Sequence, residues 1–389
     1  MSENKRNVQP RGNMPQTSAK AGAKERAPRP GRKKKSAVAR FFRRFFLVIF
    51  TVLILAVVAL ALVMNLVFNG PSTAARDVLT MSLTEGSATK WIPGLFMDES
   101  LVEDIRKQSQ SSFADDSTDT SQIIIRNDAS DADSDEWANH PDGIYIEEYK
   151  GKTFTAHIMV IKDPSRVYMA VSSEKFSTSV PGTRITEQIE KEGAVAAINA
   201  GAFYDDGTAD SIVGSVPAGL VIINGEVRWN AYKDMVPKNT GGGFAGFNKD
   251  NILVVAQNMT PDEAMAQNIM YGCEFGPVLI MNGEVNSSAY NDNSGYNPRT
   301  ALGQRADGAV VFLCVDGRQA GSLGGTYGDV IDILQEYGCV NACNMDGGSS
   351  SVMLYRDPTT QEVSMINNYS LLQSQPRRMP NFWMVRPAA

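Results

Sequence analysis

Two carboxylates and two guanidinium groups stand in turn-like text at the ends of apolar runs. Asp346 lies in NACNMDGGSSSVMLY (Asn341–Tyr355), where one apolar run stops at a carboxylate, two glycines and three hydroxyls before another begins. Asp316 lies in VDGR (Val315–Arg318) and Arg299 in NPRTALG (Asn297–Gly303). Carboxylates at such positions supply acid, base or nucleophile, while Arg299 and Arg318 are suited to bidentate hold on a phosphate. Glycine-rich loops add backbone N–H groups that can bunch around an anion. The candidate ligand contacts are Asn199 and Gly201 in NAGAFYDDG, Gly276 in EFGP, Thr300, Arg318, Gly325 in SLGGTYGD, and Asn344, Gly347, Gly348, Ser349 and Ser350. A lone Asp-Gly is most often a hairpin turn, which is the plainer reading of Asp316. NMDGGSSS makes a poor hairpin, so Asp346 is the first candidate for acid–base work and Asp316 the second.

Other chemistries have fewer residues to draw on. The chain has two histidines: His140 in polar text, and His157 in the strand-like FTAHIMVI, where packing is the plainer role. A Ser-His-Asp triad is therefore disfavoured, and zinc sites are short of ligands. Cys273, Cys314, Cys339 and Cys343 form no CxxC pair, and three of them sit in apolar text, which favours buried thiols over a disulfide. No cofactor is required. Oxygen ligands for Mg²⁺ or Ca²⁺ are available from Asp346 with Asp316 or Asp205, although no spacing demands a metal. Asp131, Asp133 and Asp135 suggest a calcium loop, but its sixth position is Glu136 and its twelfth Asp142. The turn wants Gly and the ligand set wants Glu, so a solvated acidic segment is the better reading.

These residues need a scaffold of strands. GLVIINGEVRW (Gly219–Trp229), PVLIMNGEV (Pro277–Val285) and TALGQRADGAVVFLCVDGR (Thr300–Arg318) each carry Asn-Gly or Asp-Gly between runs of Val, Ile and Leu, the pattern of tight hairpins. FAGFNKDNILVVA (Phe244–Ala256) fits another. Helices are predicted at TRITEQIEKEG (Thr183–Gly193) and TYGDVIDILQEYG (Thr326–Gly338), the latter with Thr326 as N-cap and Gly338 as its stop. Each helix leads into similar text, so that Gly193, Val195, Ala197 and Asn199 match Gly338, Val340, Ala342 and Asn344. Two related half-units would bring Asn199 and Asn344 to one cleft. The fold class is α+β: a β-rich mixed domain with two short helix/strand half-units, preceded by a single transmembrane helix and a linker.

Phe45–Phe68 is 24 residues in which only Thr51 and Asn65 are polar. That exceeds the roughly 20 residues a bilayer-spanning helix needs, and a secretory h-region is shorter. The net charge of −6 is split: residues 1–44 hold fourteen of the 37 basic residues against Glu3 and Glu25, for +12, leaving −18 on the remainder. The basic block RKKKSAVARFFRR (Arg32–Arg44) precedes the apolar run, which predicts a cytoplasmic N-terminus and an outward-facing remainder. Orientation and lipid contact account for that charge without nucleic acid. The predicted organisation is 1–44 tail, 45–68 anchor in the lipid bilayer, 69–143 spacer, partly disordered, and 144–389 folded domain. Within the spacer, MDESLVEDIRKQ (Met97–Gln108) has helical spacing, whereas the Ser- and Asp-rich stretches on either side of IIIR cannot bury enough surface to order themselves.

From about Tyr149 to Val385 the sequence resembles the phosphodiester glycosidase family. The resemblance rests on AAINAGAFYDDG, EFGPVLIMNGE, NPRTALG followed by VDGR, and GGTYGDVIDILQEYGCVNACNMDGGSSS. Ala202 stands where relatives carry an aromatic, and Glu274-Phe275 where they carry small residues. The resemblance implies hydrolysis of a sugar-1-phosphodiester of the N-acetylglucosamine-1-phosphate type. Asp346, Asp316 and Arg299 would be catalytic, with the loop residues above binding substrate. Anchor and acidic spacer resemble bacterial envelope members, which implies a glycan or exopolysaccharide bearing sugar phosphates as partner. Two alternatives are a non-catalytic binder of wall polymer and a phosphodiesterase that breaks the P–O bond.

Overall fold

The computed structural model describes residues 37–84, 89–107, 113, 117–125, 136–204, 214–232, 242–291, 295–319, 321–369 and 375–388. The tail through Ser36, the acidic run with Asp131, Asp133 and Asp135, and Asp205 lie outside them. The chain divides into two compact units, Met1–Leu60 and Ala61–Ala389. In the first, the described residues are helical, part of a helix spanning Ala37–Asn69 that takes in Arg40, Arg43 and Arg44. Its stretch Arg40–Asn69 is long and apolar enough to cross a membrane, and Gly70-Pro71 stops it. The predicted anchor is thus extended backwards into the basic text, since Arg is a good helix former.

Among the described residues the second unit has three large sheets and a two-stranded one that pairs Thr183–Arg184 with Arg378–Met379. A seven-stranded sheet runs in the order Ile144–Lys150, Thr155–Ile161, Val310–Val315, Arg299–Arg305, Cys339–Met345, Val278–Met281, Glu284–Val285. One five-stranded sheet runs Glu226–Asn230, Leu220–Ile223, Ile269–Glu274, Phe244–Asn248, Leu253–Ala256. The other runs Val363–Met365, Met353–Arg356, Ala196–Asn199, Asn381–Val385, Val167–Val171. All four predicted hairpins are present, and Asn224 and Asn282 take the left-handed backbone that their turns require.

Strand alternation divides the apolar residues between layers. Leu302, Phe312, Cys314, Cys343 and Met345 point from the seven-stranded sheet into a common core shared with Ile198, Trp383, Ala245 and Phe247 of the other two sheets. Ala301, Leu313, Val315 and Ala342 point the other way, onto Val330, Ile331 and Leu334 of the helix Tyr327–Glu336. That helix is capped by a box in which Thr326 and Asp329 bond each other's backbone N–H. Helix Ile185–Glu192 covers the outer face of the Ala196–Asn199 sheet in the same way. The inner strands of the seven-stranded sheet are therefore packed on both faces, which leaves their ends for chemistry.

The spacer departs from expectation. Thr80, Met81, Ile105, Ile123 and Trp137 are buried. Thr118 accepts from Val255 N–H at 2.9 Å and donates to its carbonyl at 2.7 Å. Ile124 N–H donates to Ala306 O at 2.9 Å, and Arg305 pairs with Glu136 at 2.6 Å. Residues 117–125 and 136–143 lie on the folded body instead of standing away from it. A few apolar side chains with backbone partners suffice to dock them.

Candidate active site

Three adjacent strands end together. Arg299 pairs with Val315, and Thr300 with Met345, so Arg299, Asp316 and Asp346 share one end of the seven-stranded sheet. The turn after Met345 is fixed by its backbone. Asp346 N–H donates to Ala200 O at 3.0 Å, and Gly348 N–H to Pro298 O at 2.9 Å. Asn199 Nδ2 donates to the Asp346 carbonyl, while its Oδ1 accepts from Thr300 Oγ1 at 2.8 Å and from Val352 N–H at 3.1 Å. Gly348 has φ of +61° and faces the Arg318 guanidinium, 3.3 Å from where a Cβ would stand. Gly317 packs against Pro298 so tightly that a Cβ would lie 2.7 Å from its nitrogen. Both positions thus need glycine.

Asp346, Gly347 and Ser349 are half-buried, and two guanidinium groups approach their turn at Gly348 and Ser349. Arg318 donates to Asn297 Oδ1 at 2.8 Å. Arg377 donates to Ser349 Oγ at 3.3 Å and lies over the Phe203 ring, 4.9 Å from its centroid. Tyr369 donates its hydroxyl to Ser349 O and accepts from Arg377 N–H at 3.2 Å. Burial pushes the Tyr369 phenol above its ordinary value, Arg377 pulls it back, and Asp346 adds to the rise, so Arg377 and Asp346 both act on Tyr369.

Asp316 closes the rear of the site, with 2% of its surface exposed. Its carboxylate accepts from Asn368 N–H at 2.9 Å and Asn368 Nδ2 at 2.8 Å, and meets His157 Nε2 at 3.2 Å. It does not sit in a simple hairpin, because the chain leaves the sheet there and closes a separate loop through Gln319 and Ser322. Beside it lies a cavity of about 30 Å³ lined by Asp316, Arg318, Gly348, Ser349, Ser351 and Asn368, among others. That is room for about one water or one ligand oxygen, not for a sugar ring.

Several expected ligand contacts are placed inside the protein. Arg299 is 2% exposed. Its Nε donates to Gly325 O and its Nη2 to Gly295 O, both at 3.2 Å, and its guanidinium lies 4.2 Å from the Tyr327 ring centroid. It braces two loops from beneath, with its guanidinium turned into the protein. Asn199, Thr300, Asn344 and Ser350 are fully buried. The two helix, glycine and strand units exist, with Gly193 at φ +63° and Gly338 at +75°. Their strands lie in different sheets, however, and Asn344 Nδ2 donates to Gly276 O at 2.9 Å while Asn199 holds Asp346. The expected common cleft is thus replaced by two separate braces. Gly201 and Gly276 are likewise buried, Gly201 N–H donating to Asn381 Oδ1 at 2.8 Å. Gly325 is buried where it receives Arg299. Arg377, Tyr369 and Asn368 were missed by sequence reasoning, and His157, read as packing, holds Asp316. Asp205, one of the proposed metal ligands, falls outside the described residues. Among those described, no group of three or more His, Cys, Asp or Glu side chains converges. All four cysteines are free and buried, and burial pushes the Cys343 thiol up to about 12.

The profile of the phosphodiester glycosidases matches residues 192–386, which is half of the chain and includes Asp316, Asp346 and Arg377. The chain belongs to the phosphodiester glycosidase family. A relative in Bacillus subtilis (strain 168), the SPbeta prophage-derived uncharacterized protein YomE, is 28% identical over 225 residues, or 56% of this chain and 31% of that protein. The chain thus spans about a third of the length of that curated relative. Among solved structures, the zebrafish N-acetylglucosamine-1-phosphodiester alpha-N-acetylglucosaminidase catalytic domain, auto-inhibited by its pro-peptide, is similar at 18% identity with a TM-score of 0.47. That likeness covers 64% of this chain and 85% of the zebrafish domain. A Synechocystis protein is similar at 16% identity with a TM-score of 0.39, over 64% of this chain and 63% of its own. Fold class and family agree with the sequence reading.

Proposed function

We propose that this phosphodiester glycosidase hydrolyses a sugar-1-phosphodiester of the N-acetylglucosamine-1-phosphate type in envelope glycan or exopolysaccharide. The observation that carries the reading is the half-buried Asp346 at the head of a turn whose Gly348 faces Arg318 and whose Ser349 accepts from Arg377, inside the segment that the family profile covers. Arg318 and Arg377 neutralise the diester, and Asp346 faces the reacting centre as acid–base group or nucleophile. Water adds to the anomeric carbon, the C1–O bond breaks, and the phosphomonoester leaves. As that group is already a stable anion, it needs little protonation. Asp316, engaged by Asn368 and His157, fixes the back of the site. The apolar helix anchors the chain in a bilayer. The basic residues Arg40, Arg43 and Arg44 put the N-terminus in the cytoplasm and the catalytic unit outside.

The test uses the full-length chain in detergent, with UDP-GlcNAc and a panel of sugar-1-phosphodiesters in H₂¹⁸O. Glycosidase action puts the label in free sugar and leaves an unlabelled phosphomonoester. Label in phosphate identifies a phosphodiesterase instead. Saturable polymer binding without any product identifies a binding module. Either of the last two results overturns the proposal.

A further inference from the structure

We propose that Trp91 and Leu95 form an interfacial foot that seats the second unit on the outer surface of the bilayer it is anchored in, directing its site to sugar phosphodiesters carried at that surface in preference to polymer further out. The inference rests on the membrane-anchored hydrolase reading above. The apolar helix ends at Asn69, and its end is pinned at once. Phe68 is buried and stacks on Phe96 with ring centroids 5.3 Å apart, and Asn69 Nδ2 donates to Phe96 O at 3.3 Å. Just before Phe96 the chain turns two large apolar side chains outward: Trp91 is 61% exposed and Leu95 66%, with Pro93 buried between them. Held beside the membrane exit by the Phe68–Phe96 contact, they stand at headgroup level, where an amphipathic indole prefers to lie. Lys90 is exposed beside Trp91, but Asp98 and Glu99 are exposed alongside too, so these nearby charges are net negative. Apolar insertion, not charge, must therefore carry the contact.

The same frame fixes the height of the site. Helix Thr73–Thr84 begins four residues after Asn69 and has 12 residues, a length of about 18 Å at 1.5 Å per residue. Its last turn meets the loop that supports the clamp. Tyr296 N–H donates to Ser82 Oγ at 3.2 Å, and a Cβ on Gly295 would stand 2.1 Å from that oxygen. Gly295 O receives Arg299, and Asn297 receives Arg318. The clamp is thus tied through one short helix to a point roughly 20 Å along the chain's path from the membrane exit. A site on so short a tether meets headgroup glycans before polymer further out.

The experiment uses the full-length chain in phosphatidylcholine vesicles whose acyl chains are brominated near the headgroups. Trp137 and Trp383 are buried and Trp229 is partly buried, so Trp91 is the tryptophan that bromine can reach. Quenching in wild type is expected to exceed that in Trp91→Phe, and to persist in about 0.5 M salt, where charge contacts are screened. Equal quenching in the two proteins overturns the foot. In the same vesicles, a Trp91→Glu/Leu95→Glu variant should lose about tenfold in rate on GlcNAc-1-phospho-dioleoylglycerol, through lost effective concentration at the surface. Its hydrolysis of soluble UDP-GlcNAc should be unchanged. Loss on neither substrate, or on both equally, overturns the surface preference. If wild type cleaves neither substrate, the hydrolase reading fails and the quenching comparison alone decides the foot.

Discussion

Asp346 owes its position to a side chain no ligand can touch. Asn199 is fully buried and spends its amide on the Asp346 carbonyl, Thr300 and Val352. Replacing it with Ala leaves buried donors and acceptors unpaired, at a cost of about 1–3 kcal/mol. Asn199→Ala should therefore lower the denaturant midpoint and turnover together. Asp346→Asn should separate the two, reducing kcat at least about 100-fold with thermal unfolding unchanged. The arginines divide in the same manner. Arg377→Ala should raise KM about tenfold, the loss of one partly exposed charge-assisted contact, and leave stability alone. Arg299→Ala should cost about 3 kcal/mol in denaturant unfolding, because it strips partners from two buried carbonyls and a cation from Tyr327. Motif spacing located Asp316 and Asp346, since both mark a strand end, and local text records strand ends. It could not tell Arg299 from Arg377. Which guanidinium faces solvent depends on packing with Tyr327 and Phe203, which are remote in sequence.

Hairpins and caps were legible for the same reason: Asn-Gly turns, the Thr326 box and the glycine stops are decided within a few residues. Sheet order was not, because Thr155–Ile161 pairs with Val310–Val315 across about 150 residues that no local pattern spans. Nor could acidic text show that its last piece docks. Glu136 sits at that piece and accepts from Arg305 at 2.6 Å and from Tyr145 at 2.9 Å. Burial alone would raise its carboxyl, but the bonds from Arg305 and Tyr145 outweigh it and hold the group below the ordinary 4.5. A carboxyl depressed by folding adds stability that is present above 4.5 and lost as pH falls through the lower folded value. Both partners are partly exposed, so the pair contributes under about 1 kcal/mol. The neighbouring Trp137 reports on it, packed 5.3 Å from Tyr145. Its fluorescence, isolated against Trp137→Phe, should be flat from neutral pH to about pH 5 and shift below pH 4. In Glu136→Gln that acid shift should be absent.

At the scale of the molecule, the described parts of residues 70–143 lie against the folded body. Among them, Met81, Ile105, Ile123 and Trp137 are buried, and Thr118, Asp119 and Ile124 bond to strand residue Val255 and to Asn282 and Ala306 at hairpin turns. Asn282 answers by donating to Ser117 O at 3.0 Å, so residues 117–119 tie directly to the tip of a hairpin. Removing residues 69–143 therefore does more than shorten a tether. It uncovers the faces under Ile123 and Trp137, each worth about 1.5–3 kcal/mol of burial, and strips partners from Val255, Asn282 and Ala306. A fragment Ile144–Ala389 should melt well below a fragment Gly70–Ala389, by about 5–10 °C for a loss of several kcal/mol in a unit of this size. It should also bind a hydrophobic dye that the longer fragment does not. Equal melting temperatures for the two fragments would show that residues 70–143 contribute no stability, and that the body folds from its sheets alone.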